Sequence, residues 1–228
     1  MVKGLLFISI LTLYPIAIQI TSRLLHPKPS RFPRPYLQQS AEQLLIILVL
    51  LLLEPDSWHR LDFDRIGRGI SFSQDIVSTL VVIFILPPVM ALLRFGRLGS
   101  AVDNANSTYI YGYPAESLPE KYRELPLFVL TMAVGVIFEE LCFRQFVFHG
   151  FYAVFGIRGD WLLIPSCLLF TIGHSYPKWQ DYFSAVFFGL ILGKLFQSYG
   201  TILVPMLLHF ISNTALIILA YRRIAKKN

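Results

Sequence analysis

Charge is scarce in this sequence. Only 15% of its 228 residues are Asp, Glu, Lys or Arg, against about a quarter in soluble domains. Cysteine is nearly absent. Cys142 and Cys167 both sit in apolar runs, which argues against a disulfide framework and for two small buried side chains. Several catalytic signatures are also missing. There is no His-Glu-x-x-His, so the zincin arrangement is excluded. There is no Gly-x-Ser-x-Gly, so no serine elbow is present. The run Gly156-Ile157-Arg158-Gly159-Asp160 is not a Gly-x-Gly-Asp, and no second intramembrane aspartate exists to pair with Asp160. No nucleic-acid module is recognisable, although the net charge is +6.

What the chain has instead is hydrocarbon, with 55% of its residues hydrophobic. This composition predicts an all-α fold, a polytopic transmembrane helix bundle of about seven spans plus an interfacial helix. The predicted spans are 4–20 (with Pro15 as a kink), a segment centred on 44–53, 76–93 (broken by Pro87-Pro88), 127–151, 161–175, 182–198 and 201–220. The first is read as an uncleaved span, because Thr21-Ser22-Arg23 offers no convincing cleavage site. Glu42 falls near the headgroups where the second span begins. The mixed apolar and charged stretch 58–70 suits a helix lying in the membrane interface.

Three regions follow from this organisation. Residues 1–125 hold the N-terminal membrane helices, a basic Pro-rich linker (Arg23, Lys28, Arg31, Arg34) and a long polar connection. Residues 126–221 form the helix bundle that carries the chemistry, and 222–228 a basic tail. Basic residues concentrate on the side that holds the linker, Arg94, Arg97, Lys121, Arg123, Lys178 and the tail. That bias predicts a multi-pass protein of the cell membrane with a cytoplasmic C-terminus. Lys194, near the end of its span, is expected to snorkel. Gly189 and Gly193 make a small-xxx-small pair that lets a neighbouring helix approach. His149 reads as interfacial.

The span 127–151 contains Glu139, Glu140 and Arg144. Each such charge costs about 2.5–3.5 kcal/mol at the bilayer centre, whereas each apolar residue returns about 0.3–0.6 kcal/mol. The segment therefore needs polar partners in equally apolar helices. Two such helices exist. One ends Phe170-Thr171-Ile172-Gly173-His174, and the other contains His209-Phe210-Ile211-Ser212-Asn213. Helical rise places these groups in overlapping depth layers. Glu140 and Arg144, at i and i+4, suit an ion pair. Glu139 points about 100° away and is left as the free carboxylate. A desolvated carboxylate beside imidazoles suits general-base work on a water.

With Glu139-Glu140-x-x-x-Arg144, Phe170-x-x-x-His174 and His209-x-x-x-Asn213 in order on three apolar helices, the sequence resembles the CAAX protease and bacteriocin-processing (CPBP, or Abi) family of intramembrane endopeptidases. The stretch Phe188-Gly189 through Gly193 to Ser198-Tyr199-Gly200, leading into Pro205, adds to the resemblance. It spans 127–213. Gln145 departs from the glycine usual after the arginine, and Cys142 has few polar neighbours.

The resemblance implies an intramembrane endopeptidase of the glutamate type, acting on a peptide or membrane-protein substrate in the lipid bilayer without a metal cofactor. In the family's eukaryotic members that substrate is a prenylated C-terminal peptide. It implies that Glu139 and His174 activate water, that His209 and Asn213 donate hydrogen bonds to the oxyanion, that Glu140 and Arg144 hold the site, and that Phe170 packs under His174. Two alternatives stand beside it. Glu139, His174 and His209 also match a catalytic zinc set with an open position. The same buried polar groups would also serve a non-catalytic immunity, scaffold or transport protein.

Overall fold

The computed structural model describes residues 2–25, 34–58, 109–110, 113–114, 118–119, 121–174 and 179–225. Apart from Trp58, which ends a short 3-10 turn, the expected interfacial helix over 58–70 lies outside these residues. The expected span 76–93 also lies outside them.

The described residues are almost entirely helical. Helix α1 is Val2–Leu25 and carries Pro15 inside it. Helix α2 is Arg34–Leu53. A short hairpin pairs β1 (Tyr109–Ile110) with β2 (Tyr113–Pro114), which the sequence did not foretell. Helix α3 is Leu125–Glu140, followed without a break by a π-helical turn, Leu141–Phe146, and by α4, Val147–Phe155. Helix α5 is Leu163–Ile172, α6 is Trp179–Tyr199 and α7 is Leu203–Ala225.

Local sequence accounts for the boundaries. Pro126 occupies the first turn of α3, where its missing N–H is not needed. Gly156 ends α4 with φ +66°, a left-handed cap that costs glycine little. Among the described residues two helices, Tyr36–Leu53 and Tyr122–Phe155, are long and apolar enough to cross a membrane, and shorter apolar helices cover Val2–Ala17, Gly159–Ile172 and Leu203–Ile218.

Several details refine the sequence reading. The proline-rich linker is shorter than expected, because Arg23 belongs to α1 and Arg34 opens α2. Gln43 therefore lies nine residues inside α2 and is only 4% exposed. The Lys194 Nζ reaches the half-exposed Asp160 carboxylate, with Gln197 Oε1 at 3.4 Å. Gln197, buried beside it, donates to the Gly159 carbonyl at 2.8 Å, tying the turn before α5 to α6. His149 packs edge-on against Phe7 and faces Glu54 at 3.9 Å.

The core lies where α1, α2, the π turn and α5 meet, around Phe7, Leu50, Phe143, Phe146 and Phe170. Helices α5 and α6 pack closely because two glycines leave the room. A Cβ on Gly189 would come within 3.2 Å of Phe170, and one on Gly193 within 2.8 Å of Leu163.

Candidate active site

The π turn is the pivot of the site. Its wider winding inserts immediately after Glu140, a disturbance often found at functional positions. Three successive polar side chains around it reach three different neighbours. Glu140 reaches His209 on α7, with 2.7 Å between Oε1 and Nδ1. Arg144 directs Nη2 toward the Gly189 carbonyl on α6 at 3.5 Å. Gln145 donates to the Ser57 carbonyl beyond α2 at 2.9 Å. Gln145, the residue that departs from the usual glycine, thus takes a definite structural position.

Glu140 and Arg144 are both 0% exposed and are paired, with Nε 3.2 Å from Oε2. The Arg144 guanidinium also lies over the Phe170 ring, 4.6 Å from its centroid. A charge so placed is tolerable only because its partner and the ring face are fixed.

Glu139, the last residue but one of α3, lies on another face. Its Oε2 is 3.6 Å from His174 Nε2 and 3.6 Å from His209 Nε2. Among the described residues no hydrogen bond reaches this buried oxygen, and both separations lie just beyond direct hydrogen bonding. The Glu139 side chain as a whole is 21% exposed and that of His174 25%. His209 is buried.

The tautomers follow from the partners. His174 Nδ1 lies 2.7 Å from the Phe170 carbonyl. A carbonyl only accepts, so Nδ1 carries the proton and donates it. His209 Nδ1 likewise donates to Glu140, whose carboxylate is held by Arg144. Each ring is therefore oriented by its far nitrogen and turns Nε2 toward Glu139.

Phe170 supports both imidazoles. Its ring centroid is 4.7 Å from that of His174 and 5.8 Å from that of His209. Phe188 packs edge-on against His209 from α6 at 5.3 Å, a contact that the sequence reading missed. Gly173 allows the chain to turn beneath Phe143, where a Cβ would sit 3.3 Å from the ring.

Of the seven site residues expected from sequence, Glu139, Glu140, Arg144, Phe170, His174 and His209 come together. Asn213 stands one turn beyond His209 on α7, part-buried. No hydrogen bond joins it to the others among the described residues. The double role of Glu140 was not foreseen. Its spacing to Arg144 was visible in the sequence, but nothing local signalled His209. Among the described residues no set of three or more His, Cys, Asp or Glu side chains meets metal-holding geometry.

Residues 121–215 match the family described as "Rce1-like: Type II CAAX prenyl endopeptidase Rce1-like". The match covers the whole constellation and agrees with the resemblance carried by its motifs. No curated protein and no solved structure matches the chain.

Proposed function

We propose that this chain, Rce1-like over residues 121–215, is an intramembrane endopeptidase that hydrolyses a peptide bond with a water activated by Glu139 and His174. The observation that carries the reading is the position of Glu139 Oε2, 3.6 Å from both imidazole Nε2 atoms. A water bound there gives a proton to Glu139 as its oxygen attacks the peptide carbonyl. His209 Nε2–H and the Asn213 amide donate to the oxyanion, each donor typically worth about 2.7–4 kcal/mol. Donation from Nε2 requires a doubly protonated His209, with Glu140 as the facing carboxylate. When the tetrahedral carbon collapses, the C–N bond breaks. The proton passes from Glu139 to the leaving nitrogen, giving a free carboxylate and an amine. Glu140, Arg144 and Phe170 act by positioning.

The helices of residues 126–221 form the catalytic bundle on this reading. The protein is a multi-pass protein of the cell membrane with its C-terminus in the cytoplasm. The family description points to a substrate with a prenylated cysteine near its C-terminus. The test uses purified protein in detergent and a quenched-fluorescent peptide bearing a farnesylated cysteine, beside the same peptide without the lipid. Wild type cleaves the farnesylated peptide and Glu139→Gln does not. Cleavage of both peptides at one rate would overturn the lipid requirement. Cleavage of neither would overturn the proteolytic reading.

A zinc protease built on Glu139, His174 and His209 is the second reading. Its support is that both Nδ1 atoms are held by acceptors, the usual way of fixing a metal-ligating imidazole. Metal analysis of active protein separates the two: zinc at one per chain, lost together with activity, favours the second.

A further inference from the structure

Helix α6 meets the site through two consecutive residues, Phe188 and Gly189. Neighbouring side chains on a helix point about 100° apart. Gly189 backs onto α5, where a Cβ would come within 3.2 Å of Phe170 and 3.3 Å of Cys167 Sγ. Its carbonyl faces Arg144 Nη2 at 3.5 Å. Phe188 turns instead to α7. It packs against the cluster of Leu192, Leu195 and Leu208. Its ring centroid stands 5.3 Å from that of the His209 imidazole, with 81° between the planes. Phe170 lies 5.8 Å from the same imidazole and 4.7 Å from that of His174. Of these two rings, Phe188 is therefore the nearer to His209.

We propose that Phe188 is a positioning residue for His209, fixing the plane of its ring so that Nε2 points at the developing oxyanion. The inference rests on the proteolytic reading of the Glu139 site. One hydrogen bond does not fix an imidazole. His209 is joined to Glu140 through Nδ1 at 2.7 Å. The ring can still pivot about that bond, because the terminal torsion of a histidine is broad. A pivot leaves Nδ1 in place and swings Nε2, the atom 3.6 Å from Glu139 Oε2. A ring packed edge-to-face has a preferred angle, so Phe188 opposes the swing. His174 draws its acceptor and a supporting ring from one residue, Phe170. His209 draws its acceptor from α3 and its nearer ring from α6. The contacts of Gly189 with α5 and with Arg144 set where α6 presents that ring.

The test pairs kinetics with a spectroscopic readout of His209 itself. Phe188→Leu keeps an apolar side chain without the ring, and Phe188→Tyr keeps the ring. Rates on the farnesylated quenched peptide are measured well below the Tm of each protein. Phe188→Leu lowers kcat about threefold to tenfold, the size of one aromatic contact. Its KM stays near wild type, because an oxyanion donor acts only in the transition state. Phe188→Tyr restores most of kcat. With isotope-labelled histidine, the Nδ1–H resonance of His209 is identified by its loss in His209→Gln. It is sharp in wild type and in Phe188→Tyr, and shifted or broadened in Phe188→Leu. An unchanged kcat in Phe188→Leu would overturn the inference, as would an equal loss in Phe188→Tyr. A raised KM with kcat intact would assign Phe188 to contact with substrate and overturn it too. A His209 resonance alike in wild type and Phe188→Leu would overturn it whatever the rates. A wild type that cleaves no peptide removes the proteolytic reading and with it the oxyanion role, while the resonance still decides whether Phe188 holds His209.

Discussion

His209 Nδ1 lies 2.7 Å from a carboxylate oxygen of Glu140, a residue 69 positions earlier in the chain. This bond joins the helix that carries the ion pair to the last helix of the bundle. It makes Glu140 the common partner of a guanidinium and an imidazole, while Glu139 is left to face the open site. The two adjacent glutamates therefore fail in different ways when changed.

Glu139→Gln is expected to fold at wild-type yield and to lose about two to four orders of magnitude in rate, the usual contribution of a general base. Glu140→Ala strands both Arg144 and His209. Breaking one side of a buried pair costs about 3–5 kcal/mol, so its Tm in detergent falls on the order of 10 °C. Arg144→Ala behaves in the same way. Thermal unfolding followed by size-exclusion fluorescence reads this directly. Equal Tm values for Glu139→Gln and Glu140→Ala would refute the division of labour.

Phe170 touches both imidazoles, the Arg144 guanidinium and Phe143. Phe170→Ala is expected to cost about 3–5 kcal/mol of stability. Phe170→Leu retains most of the volume but not the ring face, so it should lower kcat more than Tm. Steady-state rates beside melting curves check this. A Phe170→Leu enzyme with unchanged kcat would show that the ring does not position the histidines.

Gln145 ties the π turn to the Ser57 carbonyl across 88 residues of chain. Gln145→Ala leaves a buried carbonyl without this donor and should destabilise by about 1–3 kcal/mol. Protease sensitivity near residue 57 should rise with it. An unchanged cleavage pattern and Tm would mean that this bond contributes nothing measurable.

The Lys194–Asp160 pair is half open to solvent at its Asp160 end. Asp160→Asn should therefore cost under about 1 kcal/mol. The difference from wild type should shrink further as salt is added. A loss of several kcal/mol that ignores salt would mean a desolvated pair instead.

Much of this arrangement was legible in the sequence. Unbroken apolar runs gave the helices around 127–151 and 201–220, and helical spacing alone paired Glu140 with Arg144. The three polar positions, one per apolar helix, were legible because each would be expensive in lipid without the others. What could not be read was long-range or non-periodic. The π turn leaves no mark in a 3.6-residue pattern, and Glu140 gave no local sign of reaching His209. Lys194 gave no sign of its partner, because Asp160 lies 34 residues away in the chain. The start of α2 was missed although Arg34-Pro35 was a usable signal, since proline suits the first helical turn.

The most direct test of the central claim is the rate of peptide cleavage by metal-stripped, folded wild type, Glu139→Gln and His174→Ala side by side, with each variant's folding verified by its melting curve. A water-activating site shared between α3 and the end of α5 predicts full activity in the stripped wild type and loss of at least about a hundredfold in both variants. A correctly folded Glu139→Gln or His174→Ala protein that cleaves at the wild-type rate would contradict it.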